Sequence, residues 1–411
     1  MKLRSLAFWG CLLPGHLLLA AEPVKFTVQV LAVDANEGCE VGDFDGDGKL
    51  DVVAGRNWFH NPDWIARPVR TIEDVNGYVH SNGDFVYDVN GDGRLDVVAG
   101  DFFQTQVYWY ENPGPKDLLR GMLWKKHELV DTGLGANEAA FLQDLNGDGK
   151  PEWICNSWVD KNPLVAWELK TTQEKVAPKD GKGEPKTVTR YGMERHLISE
   201  TGQSHGFGFG DINNDGRLDI LTASGWFEGP EGNVFEGPWK FHQDWKTRWS
   251  VPVLVRDLNG DGKNDIVIGN PHDYGLFVWW AEGVDADGKL KFREETIDKS
   301  YSQLHCVHFA DLDGDGRDEL ITGKRYRAHN DGDPGAGDPP IICYYTIDPQ
   351  GKFTRHVINE GQAGIGLQIR TADLDADGDL DIIVAGKDGT QILWNQRISK
   401  TATAAKSGDS K

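Results

Sequence analysis

The chain has 411 residues, with 43 Lys and Arg against 65 Asp and Glu, giving a formal net charge of −22. So acidic a surface argues against nucleic acid and anionic membrane as partners. After residue 30 the only cysteines are Cys39, Cys155, Cys306 and Cys343; these are too few for a disulfide framework and are not spaced as a zinc site, so they read as buried apolar thiols. At the amino terminus, Lys2 and Arg4 precede an apolar run over residues 6–19 and the small pair Ala20 and Ala21. That pattern reads as a secretory signal over residues 1–21, cut near Ala21. The run is short for a bilayer span of about 20 residues, and no later segment could insert, so the mature chain is expected in the periplasm or outside the cell. With 50 Gly, 15 Trp, 17 Phe and 10 Tyr, and no long apolar stretch at helical spacing, the sequence predicts many turns, a large aromatic core and little helix.

One nine-residue pattern recurs along the chain. It reads DFDGDGKLD at 43–51, DVNGDGRLD at 88–96, DLNGDGKPE at 144–152, DINNDGRLD at 211–219, DLNGDGKND at 257–265, DLDGDGRDE at 311–319 and DLDADGDLD at 373–381. Self-similarity at this period marks a repeat architecture. Oxygen-bearing side chains fall at positions 1, 3, 5 and 9. They are Asp43, Asp45, Asp47 and Asp51; Asp88, Asn90, Asp92 and Asp96; Asp144, Asn146, Asp148 and Glu152; Asp211, Asn213, Asp215 and Asp219; Asp257, Asn259, Asp261 and Asp265; Asp311, Asp313, Asp315 and Glu319; and Asp373, Asp375, Asp377 and Asp381. Alternate oxygens on a tight turn converge on one point, and Gly at position 6 permits that turn. Hard oxygen donors suit Ca²⁺, up to seven ions in all, better than Mg²⁺, which keeps its waters. The loop is not an EF-hand, because position 12 is Ala54 in the first copy and Ala99 in the second. With three or four carboxylates in each loop, the chain is expected to need the ions for stability.

Each loop feeds an apolar, β-branched strand: DVVAG at 51–55 and 96–100, DIVIG at 265–269, DIIVAG at 381–386. An aromatic strand follows (VYWYENP at 107–113, LFVWWAEG at 276–283, ICYYTID at 342–348, QILWNQ at 391–396), then an amphipathic one (WKKHELV at 124–130, MERHLIS at 193–199, KFREETI at 291–297, KFTRHVI at 352–358), then a strand leading to the next loop. Four antiparallel strands in seven units give an all-β, seven-bladed β-propeller over residues 22–398. The last unit lacks a fourth strand, and KFTVQVLAV at 25–33 reads as that strand, completing the last blade and closing the ring. Residues 399–411 read as a disordered tail. Residues 170–190, 228–249 and 324–340 interrupt the spacing and read as surface insertions, the second carrying five large aromatic residues.

The loops resemble FG-GAP or VCBS repeats, known from integrin α-chain propellers and many secreted bacterial proteins. That resemblance covers nearly all of residues 25–397. It implies a seven-bladed propeller with calcium held between the first and second strands of each blade by the 28 positions named above. It leaves activity open, since the family includes adhesion proteins and sugar-binding modules and is similar to the propellers of rhamnogalacturonan lyases and aldos-2-ulose dehydratases.

Pseudo-symmetry nominates a ring at the centre. Six residues before the loops stand Glu37, Asn82, Glu138, His205, Val251, His305 and Leu367; three before stand Glu40, His308 and Arg370 among apolar residues. This ring reads as a wet polar lining, as a sugar or additional divalent-metal site, or as a catalytic centre using His205, His305, His308 and Glu138. A second cluster, Lys324, Arg325, Tyr326, Arg327 and His329, offers carboxylate-binding groups, and Arg370 is a further ligand candidate. Two functions follow: a secreted, monomeric binding module for carbohydrate or protein, or a metal-dependent lyase or dehydratase acting on an acidic or oxidised sugar.

Overall fold

A computed structural model describes residues 23–75, 78–159, 161–178, 184–202, 206–247 and 252–397. The signal segment, the carboxyl-terminal tail and His205 lie outside these residues, as does the side chain of Glu138. The chain is all-β with almost no helix, and its strands form four-stranded antiparallel sheets. Seven such units occur among the described residues, two of them joined by a short parallel pairing of Phe207–Gly210 with Val253–Arg256.

The units follow the order expected. Unit one contains Cys39–Gly42, Asp51–Ala54, Asn57–Phe59 and Ala66–Pro68; unit two contains Phe85–Tyr87, Asp96–Ala99, Gln106–Glu111 and Lys125–Asp131. Units three to six begin at Asn137–Gln143, Phe207–Gly210, Val253–Arg256 and Val307–Ala310. In unit seven, Gln368–Ala372, Asp381–Gly386 and Gly389–Asn395 are completed by Phe26–Ala32, which pairs antiparallel with Gly389–Asn395 from Phe26 opposite Asn395 to Ala32 opposite Thr390. The unpaired edge that Ile392 and Leu393 would present is thereby covered.

Two insertions turn out to be strand. Leu164–Val176 and Lys186–Ser199 extend as one long hairpin through the polar stretch, pairing as far as Val176 opposite Lys186. The aromatic insertion supplies Lys240–His242, the fourth strand of unit four. Its charged and His-containing sequence hid a strand of three residues.

Apolar side chains on each sheet pack against the next. Val53, Trp58 and Phe44 of unit one meet Val97, Ala99 and Tyr110 of unit two. Cys39, Val52 and Phe59 meet Ile383, Ala385 and Ile392 of unit seven. Successive pairs behave alike, so each unit packs on the next and the seventh on the first. Full burial of one such side chain is worth about 1.5–3 kcal/mol, so these interfaces supply most of the cohesion. Cys39, Cys306 and Cys343 are buried free thiols, as expected, whereas Cys155, also expected buried, is half-buried.

An asparagine after the third strand links neighbouring units. Asn112 Nδ2 donates to Leu95 O of its own unit at 3.0 Å and to Phe44 O of unit one at 2.9 Å. Asn61 does the same to Leu50 O and to Leu374 O of unit seven, and Asn395 to Leu380 O and Leu312 O of unit six. Asn112→Ala would leave two carbonyls without their donor, one of them buried in the interface between units. We expect it to lower the free energy of unfolding by about 1–3 kcal/mol, measured in urea; a loss under ~0.5 kcal/mol would show the link to be dispensable.

Candidate metal centre

The Asp loops join the first and second strands of each unit, and backbone donors fix their side chains. The carboxylate at position 1 accepts the N–H of the position-6 glycine in all seven loops, at 2.8–3.0 Å. The position-5 carboxylate accepts the N–H of position 7, at 2.8–3.1 Å. The position-3 oxygen accepts the N–H of position 5 in the first six. This coil requires left-handed backbone at positions 4 and 6. Gly48 has φ +87 and Gly46 φ +77, and where position 4 is not glycine, Asn214 and Ala376 still adopt φ 60 and 58.

Ligand-bearing oxygens are thereby gathered. Atoms from Asp43, Asp45 and Asp51 lie within 4.8 Å of one another, as do those from Asp311, Asp313 and Asp315. In unit one His60 joins the group, its Nε2 3.2 Å from Asp45 Oδ2. The position-7 cation folds onto the position-5 carboxylate in several loops, for example Lys263 on Asp261 at 2.9 Å and Arg317 on Asp315 at 2.7 Å. Apart from His60 in unit one, the gathered donors are acidic oxygens, the class that suits Ca²⁺.

Position 9 does more than the sequence pattern discloses. Asp51, Asp96, Glu152, Asp219, Asp265, Glu319 and Asp381 are buried, none more than 3% exposed. One oxygen of each accepts the backbone N–H of loop position 2, at 2.8–3.4 Å. In the five Asp units the other oxygen accepts an N–H in or just after the third strand, from Asn61, Asn112, Gly229, Ala281 or Asn395, at 2.8–2.9 Å. Glu152 makes the first bond only, and its Oε1 is buried without a protein partner. Burial, reinforced by neighbouring loop acids, pushes these carboxyls up: Asp51 and Asp219 to about 6, and Asp96, Glu152, Glu319 and Asp381 to about 7.

The central ring is placed differently from the loops. Glu37 is buried in a bidentate ion pair with Arg325, at 2.6 and 3.2 Å. Asn82 donates to Asn137 O at 2.8 Å, and Leu367 N donates to Glu37 O at 3.0 Å. Glu40 holds Arg370 at 2.8 Å. Gln368, missed from sequence, accepts the N–H groups of Cys39 and Asp84 at Oε1 and donates to Asp84 O. These residues therefore bridge units. His308 is held by Thr371 at 3.1 Å, and burial, with Arg370 nearby, lowers its pKa to about 4. His305 is fully buried, and burial and Arg325 lower its pKa well below the usual value. Of the catalytic candidates, the structure sets His305 among His272 and His329 and leaves His308 apart. Of the ligand cluster, Lys324 is buried with Nζ on Ala336 O at 3.2 Å, Arg327 is on Asp331 at 3.0 Å, and Tyr326 is half-buried.

The FG-GAP-like repeat signature matches residues 88–155, 144–222 and 257–322, each match starting on the first Asp of a loop. The chain belongs to the FG-GAP-like repeat family. No curated protein matches the FG-GAP chain in sequence. Among solved structures it is similar to BBS1N, crystallised with ARL6DN, at 9% identity over 92% of this chain and 97% of that one, with a TM-score of 0.45. It is also similar to the V. cholerae biofilm matrix protein Bap1, at 16% identity over 85% of this chain and 45% of that one, with a TM-score of 0.34. These scores are too low to assign more than a general likeness. Among its described residues no helix is long and apolar enough to cross a membrane.

The raised position-9 carboxyls set the pH response of the metal-free FG-GAP chain. A carboxyl whose folded pKa exceeds its unfolded value stabilises the fold below the unfolded pKa, near 4, and that contribution is lost as pH rises through about 6–7. His305 and His308 act oppositely, but below about 6.5. In chelator, the melting temperature is expected to be higher at pH 6 than at pH 8; a higher value at pH 8 would refute the assignment.

Proposed function

We propose that this chain is a secreted, calcium-loaded seven-bladed β-propeller that binds carbohydrate. The observation that carries the reading is the recurrence of one acidic loop in all seven units, with its oxygens gathered by the same backbone bonds each time. Seven four-stranded units packed head to tail, the last completed by the amino-terminal strand, support the propeller. Seven divalent ions would cancel more than half of the −22 charge. Affinity on the order of 10⁻⁴–10⁻³ M suits extracellular calcium, which agrees with the secretory signal read from residues 1–21.

A cleft of about 980 Å³ lies between the loops of units seven and one and supports carbohydrate as the ligand. Trp64 and Trp394 line it, their rings edge to face at 5.7 Å, with Gln29, Asn61 and Asp375 among the polar lining. Trp64 is held at φ 52, a conformation costly for a bulky residue. Aromatic faces beside hydrogen-bonding groups suit a sugar ring. Because Asp373, Asp375 and Asp377 line the same cleft, calcium in loop seven would order one wall.

Two outcomes follow. Calcium at a hundredfold excess over Kd is expected to add about 2.7 kcal/mol per site, so chelation should lower the melting temperature strongly; an unchanged melting curve would remove the calcium reading. On a glycan array, Trp64→Ala and Trp394→Ala are each expected to weaken binding about tenfold. Undiminished binding in both variants, or retention of protein ligands and no glycan, would overturn the carbohydrate assignment.

A further inference from the structure

Antiparallel strands place the second-to-third connections at the opposite end of each sheet from the Asp loops. There, the connection between Asp265–Gly269 and Tyr274–Val284 of unit five meets the one between Glu319–Gly323 and Ile341–Ile347 of unit six. His272 stands on the first, His329 and Asp333 on the second. His272 Nδ1 is 3.1 Å from His329 Nδ1 and 3.5 Å from Asp333 Oδ2, and His329 Nδ1 also contacts Asp333 Oδ2 directly. The two imidazoles stack, ring centroids 4.4 Å apart.

The 3.1 and 3.5 Å spacings from His272 match the edge of a metal's coordination shell. Ligands at about 2.0–2.1 Å from a tetrahedral Zn²⁺ sit roughly 3.3 Å from one another. Two imidazole nitrogens facing one carboxylate oxygen can share at most two protons, whereas a cation satisfies all three at once. His329 lies in a strained stretch: Arg327, His329, Asn330 and Asp331 are all left-handed, with φ between 49 and 64. The second, independent observation is His305. Its ring lies 5.9 Å from that of His272 and 5.8 Å from that of His329, it is 1% exposed, and its Nε2 has no protein partner. Its Nδ1 is taken by Gln303 O at 3.2 Å, which leaves Nε2 as a lone pair.

We propose that His272, His329 and Asp333 bind one divalent transition-metal ion, zinc foremost, with the buried imidazole of His305 beside the site. Imidazole with a single carboxylate selects this class over calcium. The three ligands remain partly accessible, with side-chain exposures of 24%, 31% and 18%, so a coordination position is open to water or to a hydroxyl or carboxylate of a bound molecule. The site shares no residue with the Asp loops, so its existence is separable from calcium binding.

The full chain, held in excess Ca²⁺, is titrated with Zn²⁺ and separately with Co²⁺. One zinc per chain and the visible d–d absorption of low-coordinate Co²⁺ are expected. His272→Ala and His329→Gln should each weaken zinc binding about 100-fold or more, while His127→Ala, on a fourth strand of unit two, should leave it unchanged. No bound zinc and no d–d band on the unaltered chain would overturn the proposal whatever the variants do. Zinc displaced by Ca²⁺, or retained at full affinity in His272→Ala and His329→Gln, would equally place the ion elsewhere.

Discussion

A carboxylate buried at the ninth position of every acidic loop governs this protein. It fastens the start of the loop to the head of the second strand and, in the Asp units, to the end of the third. Burying an anion is costly unless donors or a counter-charge satisfy it. Backbone N–H groups satisfy part of that demand; the remaining negative charge is shared with acids at positions 1, 3 and 5 of the same loop. The loop is thus a junction between strands and, by the same atoms, an oxygen cage with excess negative charge. In units one, two and seven an asparagine at the end of the third strand extends the junction sideways to the loop of the preceding unit.

The two ends of the sheets consequently differ in chemistry. One end carries hard carboxylate oxygens in repeated, near-identical loops. The other carries the irregular connections, including the histidine-rich meeting of units five and six. Repetition gives the first end its stability logic, whereas the second is free to vary from unit to unit, as loops on a rigid scaffold are. Between them, the buried pair of Arg325 with Glu37 and the half-buried pair of Arg370 with Glu40 tie units together.

What the sequence disclosed was what is local. Asp, Asn and Gly at alternate positions of a nine-residue turn carry their meaning within one turn, and the order of strands followed from the apolar, aromatic and amphipathic segments that recur after each loop. The amino-terminal strand's place was legible because the last repeat was one strand short. Features that depend on a neighbouring unit were not legible. Asn112 bonds to Phe44 across 68 positions, although the asparagine that closes the third strand in three of the units, at 61, 112 and 395, was a visible signal. The pseudo-symmetric ring named His305 and the basic cluster named His329, but neither pointed to His272 or Asp333, since these lie in connections with no shared offset. Lys240–His242 escaped because three residues are too few to show a period.

The central claim is that burial raises the pKa of the position-9 carboxyls well above the ordinary carboxylate range. Carbon-13 NMR titration of the labelled Asp carboxyls in chelated protein measures this directly. Asp51, Asp96, Asp219 and Asp381 are predicted to titrate near 6–7, and calcium to shift those transitions to lower pH. Transitions near the ordinary carboxylate value of about 4, unmoved by calcium, would contradict the account.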